Sequence, residues 1–121
     1  MKKIEAINKM KMEASRNAFE ARIYEEIASF GLNEGMNKFY RDQAMGKAFG
    51  LLDAIWYLDE TFNRDAHYET AVEDATKEIF KTTKETIDFD RLYVLAGHMP
   101  GSHKRDIEEY WARVRNENQP A

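Results

Sequence analysis

The stretch from Met36 to Phe62, MNKFYRDQAMGKAFGLLDAIWYLDETF, constrains the fold more than any other part of the chain. Its apolar residues recur at the three- and four-residue spacing of an α-helix. It combines a small set, Ala44, Gly46, Ala48 and Gly50, with a bulky set, Leu51, Leu52, Ile55, Trp56, Leu58 and Phe62. A helix carrying both is expected to be buried on more than one side. Each mid-helix glycine costs about 1 kcal/mol relative to alanine. Two of them four residues apart call for a steric reason. Close contact with a neighbouring helix is the simplest, and a kink at Gly46 is the alternative.

Residues 3–30 supply that neighbour. They read as a helix with two apolar stripes, one of Ile4, Ile7, Met10, Ala14, Ala18, Ala21 and Ala28, the other of Met12, Phe19, Ile23, Ile27 and Phe30. A surface helix of a monomer normally shows one stripe. The alanine stripe suits close approach of residues 36–62, folded back across a turn at Gly31, Asn33 and Gly35. The bulky stripe needs a second partner, so self-association through Met12, Phe19, Ile23, Ile27 and Trp56 is expected, giving a homodimer.

Asp65 is the expected N-cap of a third helix over about 66–86. Asp88 can cap a short helix ending at Gly97. Leu92 to Leu95 would equally suit a strand, but no partner strand exists, so helix is preferred. After the breakers His98-Met99-Pro100-Gly101, Ser102 is expected to cap a last helix over 103–117, whose Ile107, Tyr110, Trp111 and Val114 form one stripe. The fold expected is all-α, a four- or five-helix bundle built on a long antiparallel helical hairpin. Residues 1–117 form a single domain and 118–121 a flexible tail.

Functional signatures are sparse. The chain contains no cysteine, which excludes disulfides, thiolate metal sites and cysteine nucleophiles. His67, His98 and His103 lack the Glu-x-x-His or His-Glu-x-x-His spacing of helical metal sites. Adjacent acids such as Glu73-Asp74 point about 100° apart on a helix and do not converge on one ion. All-helical nucleotide pyrophosphohydrolases use Glu-x-x-Glu facing Glu-x-x-Asp, and the first of these is missing. No phosphate loop or nucleophile elbow is present. No catalytic residue, cofactor or metal is therefore expected.

No export signal or membrane span is legible, and a cytoplasmic location is expected. From Asp53 to Glu78, eight acids oppose two bases, although the net charge of the chain is only −4. Asp59, Glu60, Asp65, Glu69, Glu73 and Asp74 are the candidate partner-binding face, able in the sharpest reading to imitate a nucleic acid. The function expected is a non-enzymatic interaction module that regulates or inhibits a larger protein of unknown identity. The alternative is a helix-turn-helix-like DNA binder using His103, Lys104, Arg105 and Arg113, which the net acidity opposes.

Overall fold

In the computed structural model, residues 2–118 are described, and residues 119–121 of the expected tail lie outside them. Five helices follow one another: α1 (Lys2–Ser29), α2 (Glu34–Leu58), α3 (Arg64–Thr82), α4 (Phe89–Leu95) and α5 (Lys104–Glu117). No strand occurs among the described residues, and the long hairpin of α1 and α2 carries the bundle.

The helix ends follow local chemistry. Gly31 turns the chain with φ +83°, and Asn33 follows at φ +42°. The α2 helix stops at Leu58 rather than Phe62, because Asp59 turns extended and accepts from both Thr61 N (3.1 Å) and Thr61 Oγ1 (2.6 Å). At α3 the cap is Asn63, whose side chain accepts from Ala66 N at 3.0 Å. Asp65, the expected cap, instead sits in the first turn, where its charge suits the positive helix end. Asp88 does cap α4, accepting from Arg91 N at 3.0 Å. Ser102 does not cap α5. Its N–H closes a turn onto Met99 O, the helix starts two residues later, and His103 occupies the cap position.

The hub is α1, not α2. Its alanine side buries Ala14, Ala18, Ala21 and Ala28, and Ala18 meets Ala48 of α2 and Ala71 of α3 in a three-helix contact of small residues. Its other side buries Ile23, Tyr24 and Ile27 against Ala75, Ile79, Phe89, Leu92 and Tyr93. The second stripe of α1 thus serves the chain's own core. Ile23 and Ile27 are fully buried there and are not open to a second copy, which corrects that part of the expected self-association set.

The small residues of α2 split in the same way. Ala44 and Ala48 are buried against α1, whereas Gly46 and Gly50 face solvent. A Cβ built on either glycine would meet nothing within 4 Å. Close packing inside the chain therefore explains the alanines and not the glycines. The most apolar helix of the sequence lies at the periphery, with α1 beneath it and only a narrow contact to α3.

Candidate functional site

The densest cluster of polar side chains lies where α4 turns into α5. Gly97 (φ +93°) ends α4, with Gly97 N bonded to Val94 O and His98 N to Tyr93 O, both at 2.9 Å. This helix stop turns His98 back toward α1. There His98 Nε2 lies 2.7 Å from Tyr24 Oη, and His98 Nδ1 lies 3.0 Å from His103 Nε2. The His103 ring stacks flat on Tyr93, with centroids 3.7 Å apart and a 6° interplanar angle. Its other nitrogen faces Asp106 Oδ2 at 3.9 Å, and Asn33 Nδ2 donates to the same carboxylate at 3.2 Å.

These groups line up as Asp106–His103–His98–Tyr24, and the His103–His98 and His98–Tyr24 bonds admit two proton arrangements. In one, Tyr24 donates to Ala96 O (3.3 Å) and both histidines donate toward Tyr24. In the other, Tyr24 donates to His98 and each imidazole N–H points toward Asp106. The tautomer is thus set by the network as a whole. Burial and the neighbouring His103 push His98 below its usual value. Burial, with Glu20 adding, pushes Tyr24 up to about 12, so its hydroxyl keeps its proton at neutral pH. No group of three or more metal-ligating side chains occurs among the described residues. Here the network acts as a tie that fixes the start of α5.

A second pairing, Ser15 with His67, lies in a groove of about 500 Å³ between α1 and α3, also lined by Lys11, Met12, Arg16, Phe19 and Asp74. Ser15 Oγ is 2.8 Å from His67 Nε2, a distance suited to a nucleophile and its base. Lys11 O, however, lies 3.0 Å from the same nitrogen. A carbonyl only accepts, so Nε2 carries a proton and offers Ser15 no basic lone pair. The pairing crosslinks α1 and α3.

The six candidate acids do not form one face. Asp65, Glu69 and Glu73 recur every four residues and make a single exposed line along α3. Asp74 turns to the α1–α3 groove, and Asp59 and Glu60 lie in the turn before α3. None of Asp65, Glu69, Glu73 or Asp74 forms an ion pair within 4.0 Å among the described residues. Aromatic groups mark the boundary between α2 and α3: Phe49 stacks on Tyr68 at 4.6 Å, and Trp56 lies under the Arg64 guanidinium at 5.1 Å.

No protein-family model matches the chain, and no curated protein or solved structure matches it.

The alternative DNA-contact set is dispersed. His103 faces inward, Arg113 donates to Gly31 O at 3.3 Å, and Arg105 pairs with Glu109 at 3.3 Å. Lys104 stands 4.0 Å from Glu108. Of the self-association set, Met12 is exposed at the groove and Trp56 at the end of α2, while Phe19 packs partly against the core. Sequence reasoning missed Tyr24 and its bond to His98. The signal was Tyr24 sitting between Ile23 and Ile27, a polar tip inside a core stripe. No helix among the described residues is long and apolar enough to cross a membrane.

Proposed function

We propose that the chain is a non-enzymatic helical interaction module that docks a basic segment of a larger protein and thereby regulates or inhibits it. The observation that carries this reading is the α3 line of Asp65, Glu69 and Glu73, three exposed carboxylates that form no ion pair within 4.0 Å among the described residues. Like charges four residues apart cost a helix about 0.2–0.5 kcal/mol per pair. A basic partner relieves that repulsion and gains charge-assisted contacts. The aromatic boundary of Phe49, Tyr68 and Trp56 beside the line supplies the apolar area that charge alone does not. His67 Nε2 is held by Lys11 O and Ser15, and His98 is held on both ring nitrogens by Tyr24 and His103, which supports a role without catalysis.

Affinity capture from the native host tests this reading. The wild-type chain should retain a protein whose contacting segment is basic, with release by salt. Replacing Asp65, Glu69 and Glu73 together with lysine should abolish retention while the circular dichroism spectrum stays helical. Capture that survives the triple replacement rejects the acidic line as the docking face. A gel shift on random duplex DNA at low salt, lost on Lys104→Ala/Arg105→Ala, would install the alternative reading in its place.

A further inference from the structure

We propose that the outer line of α2 is an interface for a second copy of this chain, packed antiparallel about a two-fold axis at the height of Ala48, whose own side chain faces α1 on the opposite side. This interface rests on α2 and does not need the α3 carboxylates, although Phe49 and Trp56 at its edge also border them. The starting point is that Gly46 and Gly50 weaken an exposed helix although a Cβ on either would meet no atom of another element within 4 Å among the described residues. Glycine permits close backbone approach, and here only another molecule can make it.

The spacing identifies that molecule. Gly46 and Gly50 lie two residues either side of Ala48, and Phe39 and Tyr57 lie nine either side. Phe39 and Tyr57 are eighteen residues apart, five full turns, so they share the glycine line at its two ends. Under the two-fold, glycine meets glycine at the centre, and each Phe39 meets the second copy's Tyr57. Isologous interfaces have this reciprocal form. Gln43 and Asp53, five residues either side, also meet each other. The antiparallel arrangement sets no charged residue directly opposite one of like sign, whereas a parallel one would set Asp53 against Asp53 and Lys47 against Lys47.

The exposed aromatic area supplies about half of what a standard interface takes from each partner. Phe39 is 55% exposed and Tyr57 80%, and the flanking Phe49 and Trp56 are 40% and 37% exposed. At about 200 Å² per aromatic side chain these leave about 400 Å² of aromatic surface per copy. That is half of the ~800 Å² a standard interface takes from each partner, with glycine backbone and polar stems to supply more.

The absence of cysteine makes the register directly measurable. Sedimentation equilibrium at tens of micromolar should show a dimer. Gly46→Leu/Gly50→Leu should weaken it by about 30-fold or more while thermal stability at high dilution stays the same or rises, which separates lost docking from lost folding. Under mild oxidation, Phe39→Cys mixed with Tyr57→Cys should give a disulfide-linked dimer, and either variant alone should give little. A strict monomer, a dimer that survives both leucines, or a Phe39→Cys variant that crosslinks to itself would each overturn the proposal.

Discussion

His98 Nδ1 and His103 Nε2 stand 3.0 Å apart, so a single proton lies between two imidazoles that hold α4 to α5. The bond needs one bare nitrogen, so N–H groups on both facing nitrogens would break it. His98, whose folded value is lowered, binds its proton less readily in the folded chain than in the unfolded one. Its contribution to stability is therefore complete above about pH 6.5, the unfolded histidine value. It declines as pH falls from there through the lowered folded value. The slope for one group is at most about 1.4 kcal/mol per pH unit. Urea titrations across this range should show His98→Gln with a shallower acid decline than wild type. Parallel curves would remove His98 from the account.

The contact of Ala18, Ala48 and Ala71 leaves no room for growth. The first two are fully buried and Ala71 nearly so, on three different helices. Overpacking a tight core costs about 1–3 kcal/mol, more where several backbones must move. Ala18→Leu should fall at or above the top of that range in a thermal melt. A neutral result would mean that the three helices separate easily, contrary to the core described here.

How much of this was legible can be judged from particular residues. Helical spacing placed Ala14, Ala18, Ala44 and Ala48 at the hairpin seam, because burial on a helix follows from periodicity alone. Asp88 as a cap was legible because its bond to Arg91 N is local. The direction of Gly46 and Gly50 was not, since a glycine carries no side chain to declare a face and only the seam's position fixes it. The burial of Ile23 and Ile27 against α4 depended on where the chain returns after Asp88, a long-range contact. Tyr24 with His98 spans 74 positions, and neither residue signals the other. The split of the acids between the α3 line and the α1–α3 groove was available from 100° steps, once the start of α3 was known.

Asn37 fastens the hairpin turn to α4. It is buried at the start of α2, and its amide Nδ2 lies 2.9 Å from Leu32 O, 3.2 Å from Asn33 O and 2.9 Å from Tyr93 Oη. Its Oδ1 has no hydrogen-bond partner among the described residues. Asn37→Leu keeps much of the volume but takes the side-chain donor from Leu32 O and the buried Tyr93 hydroxyl, while Asn33 O keeps its bond to the residue-37 backbone N–H, at a cost of about 1–3 kcal/mol. Tyr93→Phe removes only one acceptor and should cost less. The two changes share a bond, so the double variant should lose less than the sum of the singles in a urea denaturation cycle. Strict additivity would show that the bond contributes nothing.

Gly46→Ala separates the two explanations for the α2 glycines. Had α1 required the missing side chain, a methyl group would be destabilising. The position instead has open space around a Cβ, and its φ falls outside the positive range that alanine avoids. The substitution then supplies only the helix-forming advantage of alanine and a smaller unfolded-state entropy, together about 1 kcal/mol of added stability. At high dilution, where the chain is monomeric, this should raise the melting temperature by roughly 3–6 °C for a domain of this size. A lower melting temperature at high dilution would return the glycine to the hairpin seam and remove the ground for a partner above it.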